Sequence, residues 1–174
     1  MNFVIQASKP RISGEYNLGD RDISEAIETI FPMNTESAIL QWNCISIPLS
    51  YKYDISYMIW DILNLLEQLQ TEPQGMMMIQ WLPDTFRVDW KIVWKDNQMT
   101  IKSYWESVVG GLEELLNQKP VISLKIDNFL YEWKEVLYTL ICALKDSGYK
   151  KNLCGMEKLE YQFAEISKNG VLYS

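Results

Sequence analysis

The sequence predicts a single α+β domain spanning residues 1–174, with helices covering a largely antiparallel sheet. Two observations carry this reading. Residues 76–105 have the form of a β-meander: Phe86, Val88, Trp90, Ile92 and Trp94 alternate with Arg87, Asp89, Lys91 and Val93. A period of two marks a strand with one buried face, because successive side chains point to opposite sides of a sheet. Residues 54–70 and 128–146 instead repeat their apolar positions at three and four, the period of a helix packed on one side.

The elements follow in chain order. Residues 3–7 form a short apolar run ended by Lys9-Pro10, and residues 11–20 read as a loop. Asp22, with Glu25 three residues on, resembles a capping box and opens a helix over 22–30, where Ile23, Ala26, Ile27 and Ile30 share a face. Residues 37–49 are strand-like. Ala38, Leu40, Trp42 and Cys44 hold one phase, and the shift to Ile45 and Ile47 predicts a bulge near Cys44. Asp54 is the expected N-cap of the helix over 54–70, whose stripe is Ile55, Met58, Ile59, Ile62, Leu66 and Leu69. In the meander, residues 76–82 lead to a Pro83-Asp84 loop, and Asp96-Asn97 turns the chain into a return strand through Met99, Ile101, Ser103 and Trp105. A helix over 107–118 is expected despite Gly110-Gly111, then a short strand over 120–126. The helix over 128–146 carries Phe129, Leu130, Trp133, Val136, Leu137, Leu140, Ile141 and Leu144. Residues 156–168 read as a last helix through Leu159, Phe163 and Ile166, against a competing strand reading through Leu159, Tyr161 and Phe163. Val171-Leu172-Tyr173 is either an edge strand or a packed tail.

Composition bounds the function. Nearly half of the residues are hydrophobic, which excludes a disordered chain. The formal net charge is −7 and the pI about 4.7, which disfavours a direct nucleic-acid binder, since that function uses a basic face. There is no histidine, so neither a Ser-His-Asp nor a Cys-His catalytic set can form. Cys44, Cys142 and Cys154 are too few for a thiolate zinc site and too scattered for a disulfide framework. Cys44 and Cys142 are expected as small core residues in a reducing, cytoplasmic setting. No apolar run reaches membrane-span length, the N-terminus lacks a signal-peptide pattern, and no metal or cofactor site is expected. Hydrolysis by paired carboxylates remains formally possible because acids are plentiful, but Glu113 and Glu114 are adjacent on a helix and point apart. The expectation is a protein without catalytic activity.

The aromatic residues point to protein contact. Trp90, Trp94 and Trp133 sit on core stripes. Tyr51, Tyr53, Asp54, Trp60, Asp61, Trp81 and Asp84 would form one acidic, aromatic face if the helix over 54–70 abuts the 82–85 loop. Tyrosine and tryptophan anchor protein interfaces because they bury large area at low conformational cost.

Residues 34–42 (NTESAILQW), 50–56 (SYKYDIS) and 166–173 (ISKNGVLY), together with size, acidity and aromatic content, resemble bacterial immunity proteins. These are small cytosolic antitoxins encoded beside polymorphic or contact-dependent toxins. The resemblance implies a stoichiometric inhibitor of a toxin domain, often a nuclease, that covers its active site or an exosite. No subfamily is assigned and no family residue is carried over. An acidic face would suit a toxin with a basic surface. The alternative is a self-associating structural or assembly protein of a phage or mobile element. On the first reading, Trp81→Ala raises the off-rate and Asp84→Asn lowers a salt-dependent on-rate, measured by stopped-flow.

Overall fold

The computed structural model describes residues 2–170; the tail segment 171–173 lies outside them. The strands form two antiparallel sheets rather than one. The first has the order β1-β2-β3: Phe3–Gln6, Ala38–Trp42 and Ile45–Leu49. The second has the order β4-β5-β6-β7: Gln74–Trp81, Phe86–Lys95, Gln98–Val108 and Val121–Lys125. Five helices accompany them among the described residues: α1 Ile23–Ile30, α2 Ser56–Thr71, α3 Glu113–Asn117, α4 Ile126–Asp146 and α5 Met156–Gly170. The α+β class and the antiparallel pairing are those expected from the alternating and helical periods.

The phase shift at Cys44 has a different cause from the expected bulge. Asn43 and Cys44 have φ of 47° and 70°, and Trp42 pairs with Ile45, so residues 37–49 fold into a tight hairpin. Positive φ at both central residues is the backbone of the hairpin turn whose twist matches the flanking strands. Asn favours it, whereas Cys44 is carried there at some cost and is exposed, not core. The turn is held from outside: the Asn43 amide donates to the Lys119 carbonyl (2.7 Å), and so does the Trp42 indole N–H (3.2 Å).

The segment over 107–118 is also reassigned. Strand β6 continues to Val108, with Glu106 bulged out because Arg87 faces Ser107 while Val88 faces Trp105. Gly110 and Gly111 then take φ of 97° and 64°, a turn that a helix cannot include. Only Glu113–Asn117 is helical. Its Asn117 side chain accepts from the Trp105 N–H (2.9 Å) and donates to the Trp105 carbonyl (2.8 Å), replacing the strand partner that β7 is too short to supply. The remaining helices match their apolar stripes, and α5 excludes the strand reading of residues 159–163. Asp22 caps α1 as expected, accepting from the Ser24 and Glu25 N–H groups.

The core lies between the inner faces of the two sheets and the helices. Trp42 of β2 stacks on Trp90 of β5, with ring centroids 5.6 Å apart and planes at 29°. Trp81 meets Trp90 edge-on at 5.2 Å, and Trp105 meets Trp42 and Phe86 edge-on, both at 5.3 Å. Phe3 links this cluster to Phe129 of α4 at 5.0 Å. Edge-to-face and offset pairs favour the ring quadrupoles, at about 0.5–1.5 kcal/mol each beyond area burial.

Strand β4 needs a glycine opposite Trp94. A Cβ built on Gly75 would lie 2.3 Å from the Trp94 ring, which covers the strand there and donates its indole N–H to the Glu72 carbonyl (3.0 Å). Gly75→Ala is therefore expected to lower stability by about 1–3 kcal/mol, the usual cost of overpacking, by urea unfolding followed through tryptophan fluorescence.

Candidate functional site

The structure divides the seven residues of the expected aromatic, acidic face. Tyr51, Asp54 and Trp81 are buried, with Trp81 only 2% and Asp54 1% exposed. They cannot anchor a partner. Sequence periodicity concealed this because residues 51–55 form a π-helical turn ahead of α2, which rotates Tyr51 and Asp54 inward. Trp81 lies on the inner face of β4, two residues beyond buried Ile79.

Asp54 is not the N-cap of α2. Ser50 caps the preceding turn by accepting from the Tyr53 N–H (3.2 Å), and Asp54 reaches back to accept from the Ser50 N–H (2.7 Å). Its other oxygen accepts from the Thr85 hydroxyl. The turn before α2 thus does abut the 82–85 loop, but through a buried polar contact rather than an exposed surface. Burial pushes the Asp54 carboxyl above the ordinary aspartate value, against the opposing pull of the Thr85 and Ser50 donors.

Trp60 is half-buried and structural. Its indole N–H donates to Asp22, the cap of α1 (3.3 Å), and a Cβ on Gly155 would lie 2.7 Å from its ring. It therefore ties α2 to the start of α1 and to the loop before α5. Tyr53 and Asp61 are half-buried, and Asp61 is shifted upward by burial. Asp84 is exposed and paired with Arg87, an ion pair worth little at a solvated surface. No continuous aromatic face results.

The surface that does present side chains together is the outer face of the β4-β5-β6-β7 sheet, which no element covers among the described residues. Cross-strand register places its residues in rows. One is Met76, Val93, Thr100 and Ser123; the next is Met78, Lys91, Lys102 and Val121; a third is Gln74, Lys95, Gln98 and Lys125. Met76, Met78 and Tyr104 are 63%, 62% and 61% exposed. The sequence did hold a signal for this face: Lys91, Val93, Lys102 and Tyr104 occupy the off-phase positions of the meander, ordinarily read as solvated.

Two concavities adjoin other elements. One, of about 660 Å³, lies between residues 5–12 and the Glu135, Tyr138, Thr139, Cys142 and Asp146 side of α4. The other, of about 380 Å³, lies between the α2–β4 connection and Asp96, Asn97 and Asp127. Among the described residues no three acidic or cysteine side chains converge as metal ligands, and no helix is long and apolar enough to cross a membrane. Comparison with protein-family models, curated proteins and solved structures finds no match for this chain.

Two outcomes are expected from the buried residues. Trp81→Ala acts on stability, not on an off-rate, and costs about 3–5 kcal/mol by chemical denaturation. Asp54→Asn keeps an acceptor for the Ser50 N–H and a donor for Thr85, so it is milder than Asp54→Ala. The wild-type carboxyl binds its proton more readily when folded, so the folded state holds more protons between the ordinary aspartate value and its raised one. Asp54's contribution to stability therefore falls as pH rises through that window, upward from about pH 4, and Asp54→Asn removes that part of the slope in urea midpoints measured across it.

Proposed function

We propose that this chain is a protein-binding protein of the immunity type, which neutralises a toxin domain by one-to-one contact and catalyses nothing itself. The interface on this reading is the outer face of β4–β7, not the aromatic surface expected from the sequence. What supports it is the exposure of Met76, Met78, Val93, Tyr104 and Val121 on one open sheet face. A grouped apolar surface with a polar surround is what protein interfaces bury, and methionine adapts its shape to a partner at low cost. The rigid sheet, backed by the tryptophan core, presents these side chains without reordering the backbone, which lowers the entropy lost on binding.

The self-associating alternative rests on one specific feature. β4 is an edge strand that bears Met76 and Met78, which on this reading pairs two copies into a continuous sheet. Light scattering separates the two readings: a monomer at high concentration removes the second.

The test is co-expression with the toxin domain encoded beside the gene. The two should co-purify at one-to-one stoichiometry, and Met78→Glu should abolish both capture and protection. That substitution is on an exposed position, so urea stability should stay within about 0.5 kcal/mol of wild type. Survival of cells that express the toxin without this protein would sink the reading.

A further inference from the structure

The charge on the outer sheet face is opposite to that of the chain. Lys91, Lys95, Lys102 and Lys125 all project from it, in a protein of formal charge −7. Among the described residues, none of the four has a carboxylate within 4.0 Å. Lys91 and Lys102 stand directly opposite each other on β5 and β6. Like charges in that position repel and destabilise the pair. Protection of a sheet edge accounts for Lys125 on edge strand β7 but not for the other three. Edge protection places lysine on edge strands, whereas edge strand β4 carries Met76 and Met78 on this face and Lys91, Lys95 and Lys102 are on the central strands.

Asp89, opposite Tyr104 in the next row, lies on this face with Arg87 beside it, so the face stays net positive; a second group of acids lies elsewhere. Helices α1 and α2 carry Glu25, Glu28, Asp61 and Glu67 and no lysine or arginine. The positive face is thus a local feature, and strand spacing makes it about 14 Å across and about 14 Å along the strands.

Resting on the protein-binding reading above, we propose that the partner of this face is a carboxylate-rich protein surface: acidic side chains meet Lys91, Lys95, Lys102 and Lys125, and apolar ones fill the row of Met76 and Val93 between them. This reverses the basic partner surface expected from net charge. Aliphatic and thioether side chains favour a protein over a nucleic acid, whose bases bind by stacking on several aromatic planes. Tyr104 is the one aromatic residue on the face.

The experiment titrates the 15N-labelled full chain at low salt with three probes of matched length: a 20-residue peptide of Glu, Asp and Leu, a 20-residue peptide of Lys and Leu, and single-stranded oligothymidylate. The acidic peptide should shift the amide signals of Met78, Lys91, Lys102 and Tyr104. Its affinity should fall about tenfold in a variant combining Lys91→Gln, Lys95→Gln, Lys102→Gln and Lys125→Gln, and weaken as salt rises. Glu28→Gln, on the acidic helices, should leave it unchanged. Absence of acidic-peptide shifts on this face, or tighter binding of the Lys-Leu peptide there, overturns the proposal. Tighter binding of oligothymidylate overturns it in favour of a nucleic acid. A photo-reactive residue in place of Met78 that still cross-links the toxin domain would then show that the protein-binding reading survives and only the partner's charge was misassigned.

Discussion

The stack of Trp42 on Trp90 is the contact on which the rest of the structure depends. It joins the two sheets at their inner faces, and Trp81, Trp105, Phe86 and Phe3 assemble around it. The large indoles exclude water from a wide area, but they bring polar N–H groups inside with them. Those of Trp81, Trp90, Trp105 and Trp133 have no hydrogen-bond partner among the described residues. Edge-to-face packing sets ring edges against neighbouring π faces, which recovers part of the desolvation cost. The Trp42 N–H, by contrast, reaches the Lys119 carbonyl, so the same residue that joins the sheets also fixes the β2–β3 turn against the start of β7.

A second constraint is closure of the sheet edges by single side chains. Glu132 of α4 accepts from the Ile5 N–H on edge strand β1 (2.7 Å), and Asn117 serves Trp105 where β7 ends. Glu113 accepts from the Val108 N–H (2.7 Å). Each supplies the acceptor that a missing strand would have supplied, and burial drives the Glu132 carboxyl upward as the cost of that placement. The outer face of the larger sheet has no such treatment. Its methionines and lysines are left to solvent beside a β6 end that Asn117 and Glu113 close.

On the reading proposed above, that face works by recognition, through both its charge and its shape. A chain that is acidic overall but positive on one rigid sheet has a directional field, which orients a partner before contact. The apolar row between the lysines would then be desolvated on docking, so that steering and retention come from different side chains of one surface.

The sequence by itself determined the class of fold, the period and extent of β5, α1, α2, α4 and α5, and the burial of Trp90, Trp94 and Trp133, because these follow from local periodicity. It determined the absence of histidine chemistry as well. Tertiary structure decided what periodicity does not encode. The break at Cys44 became a hairpin because a two-residue turn and a one-residue bulge shift the phase alike, and docking of Asn43 and Trp42 on Lys119 holds the turn. Residues 109–112 left the helix because the glycines took positive φ and Asn117 and Glu113 served β6. Tyr51, Asp54 and Trp81 moved inside because a π-helical turn and the opposing sheet set their direction. The sheet face followed for the same reason: alternation names the residues that share a side, but only the packing of every other element decides which side stays open to water.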